Sequence, residues 1–212
     1  MIREIALQDL TTAKRAIVAH VDRIELNSRL DLGGLTPDLK LVKQVYTLAN
    51  QEQVELVVMV RPRAGDFVYN NAEFEEMKAT ILALKTVGIS TVTFGILTKQ
   101  NHLDEQRMTQ LIQLAKPMQV VMHMAFDDLS DDAQLPAIDW LVQQGVQRIL
   151  MHGGQLSEPI TETLPKLKQT IIDANGRIEI LPGGGITYEN AEHIAQALAC
   201  LQVHGSKIVR LD

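Results

Sequence analysis

Two carboxylates, an arginine and three imidazoles stand where apolar runs of this chain give way to polar or glycine-rich connections: Glu4, Glu25, Arg61, His123, His152 and His204. Gathered on one rim, such groups could bind an anion, hold a metal ion or move protons. Glu25 and His123 are the candidates for acid/base work, and His123, His152 and His204 are the candidate metal ligands. Arg61 and Arg63 flank Pro62, which restrains the backbone, so their guanidinium forks suit a carboxylate or phosphate, with Asp66 beside them. A plainer reading spends Arg61 on a salt bridge to Asp66 or Glu25, and Glu4 or Glu25 on Arg3, Arg23 or Arg61. Gly184, Gly185, Gly205 and Ser206 complete the candidate anion site, because glycine lets backbone N–H groups approach oxygens. The same glycines would also serve simple tight turns.

Met59, Met118, Met122, Met124 and Met151 lie in or beside the same runs. Thioethers suit soft Cu(I), but filling irregular gaps in a core is the commoner use of methionine. Side chains alternate along a strand, so Met122 and His123 point to opposite sides and cannot serve one ion.

The elements that must position these groups follow from periodicity. Strands are expected at Ile2 to Ala6, Val21 to Leu26, Val54 to Val60, Thr91 to Phe94, Met118 to His123, Val146 to Met151, Arg177 to Leu181 and Leu201 to His204. Between them run amphipathic helices with stripes such as Val42, Val45 and Ala49, or Met77, Ile81 and Leu84. Asp9, Thr36, Asp104 and Thr187 read as N-caps and Gly88 and Gly145 as closing glycines. Pro165 is awkward inside its helix, whose regular part is expected to begin there. Strand then helix about eight times describes one domain, residues 1–212, of α/β class: a parallel (β/α)8 TIM barrel, in which strand carboxyl ends converge on the functional rim. A doubly wound open sheet is the alternative, with fewer strands. Too few residues follow the eighth strand for a full eighth helix, so a second subunit or a return of the short tail is expected to cover the gap.

Composition narrows the partners. With 20 Lys and Arg against 26 Asp and Glu, the net charge is -6, which argues against nucleic-acid binding. No apolar run approaches the roughly 20 residues that span a bilayer, and the start of the chain lacks a basic segment leading into an apolar one. The lone Cys200 excludes an internal disulfide and fits a reducing compartment. The expectation is a cytoplasmic protein, a homo-oligomer such as a dimer, that takes a small ligand or metal ion.

In order along the chain, Arg23-Ile24-Glu25-Leu26, Gly33-Gly34-Leu35-Thr36-Pro37, Arg61-Pro62-Arg63 with Asp66-Phe67 and Tyr69, His123 with Ala125-Phe126-Asp127, and Val203-His204-Gly205-Ser206 together resemble the copper homeostasis protein CutC family. The resemblance implies a TIM barrel and a cytoplasmic protein of copper homeostasis, with copper as the bound ion. Members with cysteines after the first-strand Glu-Ile and after Arg-Ile-Glu-Leu would offer thiolates where this chain has Ala6 and Asn27. The family's arginine after the rim histidine is Met124 here, and its Thr-Ser-Gly after the sixth strand is Met151-His152-Gly153. Beside the copper reading stands an alternative, a barrel enzyme acting on a small anionic or phosphorylated metabolite.

Overall fold

The computed structural model describes residues 1–211. Eight strands, β1 (Ile2–Leu7), β2 (Arg23–Leu26), β3 (Glu55–Met59), β4 (Thr91–Phe94), β5 (Gln119–Met122), β6 (Arg148–Met151), β7 (Glu179–Pro182) and β8 (Gln202–Gly205), form one sheet in the order β7-β6-β5-β4-β3-β2-β1-β8. All pairings are parallel. Seven helices connect them: α1 (Leu10–Val18), α2 (Leu39–Gln51), α3 (Asn71–Val87), α4 (Glu105–Ala115), α5 (Asp131–Gln143), α6 (Ile160–Ala174) and α7 (Ala191–Leu198). The result is a TIM barrel. Its seam between β7 and β8 is held by Gln202 Nε2 donating to Glu179 Oε2 at 2.9 Å and by a bridge between Thr187 and Lys207.

Strand alternation divides the apolar residues in two. Outward-facing Ile5, Ile24, Val58, Phe94, Met122 and Ile149 join the helix stripes in one continuous core. Inward-facing Val57, Val121, Leu150 and Leu181 make a small separate layer inside the barrel. Below it the barrel floor is ionic. Arg23 donates from Nη2 to Gln202 Oε1 at 2.8 Å and pairs with Glu4 and Glu55, while Arg148 donates to Glu55 Oε1 at 2.6 Å. Both arginines are fully enclosed, and multiple partners make such burial tolerable.

Several local expectations need correction. α2 is capped by Asp38, which accepts from Leu41 N–H, because Thr36 is taken by the segment that follows β3: its hydroxyl accepts the Arg61 N–H at 2.8 Å. Asn190 rather than Thr187 flanks α7, and its side chain accepts the Thr187 N–H. α6 begins at Ile160, ahead of Pro165, since Ile160 and Thr163 are buried and fasten its first turn. β1 extends to Leu7, which leaves Glu4 in mid-strand rather than at its end.

Among the described residues no helix follows β8. The tail turns back instead, burying Ile208 and Val209 against the outer core, with Tyr188 N–H donating to Lys207 O at 2.8 Å. Asp212 lies outside the described residues.

Candidate functional site

At the carboxyl ends of the strands a cavity of about 460 Å³ opens, lined among others by Glu25, Asn27, Arg61, His123, Gly184, Gly185, His204, Gly205 and Ser206. Its walls are completed by the apolar Met59, Phe67, Met124, Leu150 and Leu156. A pocket with apolar walls and a few convergent polar groups is the usual form of a small-molecule site.

Glu25 and His204 of the cavity wall meet Glu4, which lies outside the lining, in a buried triad. His204 Nδ1 lies 2.7 Å from Glu4 Oε1, and the other Glu4 oxygen is held by Arg23 Nε. Ligand atoms of Glu4, Glu25 and His204 all lie within 4.8 Å of one another. Burial pushes the Glu4 pKa up, but the His204 hydrogen bond and the charges of His204 and Arg23 outweigh it and bring the group down to about 2. His204 suffers the same desolvation, which lowers its pKa, and the carboxylates of Glu25 and Glu4 overcome that and raise it. Glu25 is raised, chiefly by burial, and the nearby positive charge of His204 offsets this only in part. Asn27 Nδ2 donates to Glu25 Oε2 at 2.8 Å. Sequence reading took Asn27 only as a position of missing cysteine, although it stands two residues beyond Glu25 and hence on the same strand face.

His123 occupies the other wall. Its Nδ1 accepts the Ala125 N–H at 3.2 Å, which leaves Nε2 to carry the proton of the neutral ring. Burial, and secondarily the charge of Arg61, lower its pKa to about 3. Phe67 lies between the two groups, 4.8 Å from the His123 ring centroid and 4.7 Å under the Arg61 guanidinium. Arg61 is not paired with Asp66 or Glu25. Its terminal nitrogens donate to the carbonyls of Leu32, Gly33, Gly34 and Gly65, clamping two rim loops together.

The structure does not bring every candidate to the cavity. Arg63 and Asp66 lie outside it, joined at 2.7 Å, with Glu73 the second partner of Arg63. His152 is also outside the lining, with ring nitrogens 3.0 Å from the carbonyl oxygens of Gly183 and Glu158. The imidazoles of His123, His152 and His204 therefore do not form one cluster, and the metal-ligand grouping found among the described residues is Glu4, Glu25 and His204. The sequence shows Asp127 only as the last residue of the Ala125-Phe126-Asp127 motif. Its carboxylate accepts the N–H groups of His152 and Gly153, both at 2.8 Å, and so braces the β6 end of the rim.

The comparisons with known proteins agree with this architecture. The CutC family pattern matches residues 1–209. The chain belongs to the CutC family. A CutC protein of Enterococcus faecalis is 40% identical over 99% of this chain and 100% of its own length. A human copper homeostasis protein cutC homolog is 36% identical over 97% of this chain and 72% of its own length. The crystal structure of the CutC protein of Streptococcus agalactiae superposes with a TM-score of 0.95 at 37% identity, covering 99% of this chain and all of that one (100%). A deoxyribose phosphate aldolase from Aeropyrum pernix, at 10% identity and a TM-score of 0.72 over 97% of this chain and 86% of that one, shares the fold alone.

The sulfur in the cavity wall of this CutC chain is the thioether of Met59 and Met124, and no thiolate accompanies it. Cu(I) favours sulfur, yet Ala6 and Asn27 bring no thiolate to the cavity wall. Cys200 sits at the far end of the barrel, before β8, with its thiol directed at Gln202 O. Two carboxylates and one imidazole suit a divalent ion such as Cu(II). No helix among the described residues is long and apolar enough to cross a membrane.

Proposed function

We propose that this chain takes part in copper homeostasis, in the cytoplasm, by binding a copper ion through Glu4, Glu25 and His204. The observation that carries the reading is its membership of the CutC family over residues 1–209, together with relatives in human and mouse named copper homeostasis protein cutC homologs. The proximity of three oxygen and nitrogen donors, two of them in the wall of the rim cavity, supports the choice of ligands. His204 shares a proton with Glu4, and Glu25 has a raised pKa. An incoming ion must displace protons from these groups, so binding tightens as pH rises.

The test is equilibrium dialysis of chelator-treated protein against Cu(II), with electron paramagnetic resonance of the product. One bound equivalent showing hyperfine coupling to a single imidazole nitrogen is expected, and it should vanish in the Glu25→Gln, His204→Gln double variant. Retention of the same signal in that variant, or no binding by the unmodified protein, would overturn the reading.

A further inference from the structure

We infer that the mouth of the rim cavity is a binding site for the phosphate group of a small phosphorylated metabolite, whose remaining polar atoms are read by His123, Asn27 and Arg61 further in. The inference goes beyond copper and needs no metal.

The mouth is built from the turns after β7 and β8. Gly184 and Gly185 have φ of +81° and +78°, a left-handed backbone that only glycine adopts without strain. A Cβ on Gly184 would also collide with the His152 ring, so the backbone itself forms this part of the wall. Across from it, Gly205 leaves no room for a Cβ beside the carbonyl of Ile186, and Ser206 follows with an exposed hydroxyl. Among the described residues, the N–H groups of Gly184, Gly185 and Ser206 donate to no backbone or side-chain acceptor. Lys207 lines the same opening and has no ion-pair partner among the described residues. Free amides from two adjacent loops, a hydroxyl and an ammonium are the donor set that a dianionic phosphate requires.

Deeper in, three side chains keep polar atoms without partners. They are His123 Nε2, Asn27 Oδ1 and Arg61 Nε, on residues only 2%, 1% and 7% exposed. Unpaired polar atoms at such burial are costly and rare unless a ligand or water completes them. Since Nδ1 of His123 is an acceptor, Nε2–H is a donor, as is Arg61 Nε–H, while Asn27 Oδ1 accepts. Two donors and an acceptor match the hydroxyl or carbonyl groups of a short polar molecule. A cavity of about 460 Å³ accommodates such a molecule together with its phosphate.

The test uses chelator-treated protein, so that its failure is separate from any failure of copper binding, and calorimetric titration with inorganic phosphate, glycerol and glycerol phosphate. Phosphate should bind, glycerol phosphate should bind at least roughly tenfold more tightly, and glycerol alone should not bind measurably. Ser206→Asp and Lys207→Glu, both at exposed positions, should abolish binding of phosphate and of glycerol phosphate alike. His123→Asn keeps an acceptor for the Ala125 N–H, because Asn is itself a good N-cap, and lacks Nε2–H. It should remove the preference for glycerol phosphate over phosphate while leaving phosphate affinity unchanged. Absence of phosphate binding, or binding indifferent to Ser206→Asp and Lys207→Glu, would overturn the mouth assignment. An unchanged preference in His123→Asn would overturn the deeper one.

Discussion

His204 Nδ1 and Glu4 Oε1 stand 2.7 Å apart although 200 residues separate them in the chain, so the hydrogen bond between them ties the last strand of the barrel to the first. Register places the two residues directly opposite each other in the β1–β8 ladder. Both are enclosed, and removing one leaves the other as an incompletely compensated buried group.

Replacing His204 with Gln should therefore cost about 3–5 kcal/mol at mildly acidic to neutral pH, and the cost should depend on pH. The pKa of His204 is raised in the fold. Its contribution is thus complete below the unfolded-chain value of about 6.5 and is lost as pH rises through the higher folded value. The Glu4 pKa falls from 4.5 to about 2, so its contribution is present above 4.5 and is lost as pH falls toward about 2. Urea melts of the unmodified protein and of His204→Gln should converge as pH climbs above about 6.5. A difference that stays constant into the alkaline range would show that packing, not charge, carries the pair.

Asp127 answers a different question, since among the described residues its carboxylate serves backbone amides and joins no salt bridge. Asp127→Ala leaves the N–H groups of His152 and Gly153 unpaired, and should destabilise the protein by about 2–4 kcal/mol. Burial raises the Asp127 pKa from 3.8 to about 6, against the backbone hydrogen bonds of His152 and Gly153 that lower it. A raised carboxyl contributes stability that is full below 3.8 and declines as pH rises toward 6. Thermal melts across that range should show Asp127→Asn lacking this decline.

How far the sequence spoke for this structure depends on the distance over which each feature is decided. Strand and helix periodicity is local, and the alternation that buries Met122 outside the barrel while His123 lines the cavity was readable from two adjacent residues. The N-caps assigned to Thr36 and Thr187 failed because other amides claimed their hydroxyls, a tertiary one from Arg61 for Thr36 and a local one from Glu189 for Thr187. His152 stood at a strand end as expected, but the carbonyls that face its ring come from Gly183 and Glu158, and nothing near it in sequence announces them. The Arg23 and Arg148 floor was illegible for the same reason. Its carboxylate and amide partners come from β1, β3, β7 and β8, strands that only the closed barrel brings together.

The packing of the segment after β8 leads to a prediction about the tail. Ile208 and Val209, 1% and 5% exposed, are packed into the outer core. Ile208→Ala should cost about 2–4 kcal/mol in urea unfolding, the usual loss for a buried aliphatic side chain. Lys207→Ala, at an exposed neighbouring position, should cost less than about 0.5 kcal/mol. Equal small effects from both would mean that the tail is held by its backbone alone.

Gly205 offers the sharpest structural test of the rim. Its missing Cβ makes space for the carbonyl of Ile186, a backbone atom that cannot rotate aside as a side chain would. Gly205 also pairs with Ile5 in the β1–β8 ladder, so it cannot retreat without opening the barrel seam. Gly205→Ala should thus displace the loop after β7 and cost about 2 kcal/mol or more. Gly145→Ala, at a helix end where a Cβ meets nothing within 4 Å but φ is +75°, isolates the backbone penalty, about 1 kcal/mol. Chemical denaturation of the two variants side by side would check the difference. If Gly205→Ala proves no more harmful than Gly145→Ala, the close approach of the two rim loops is not a constraint on the fold.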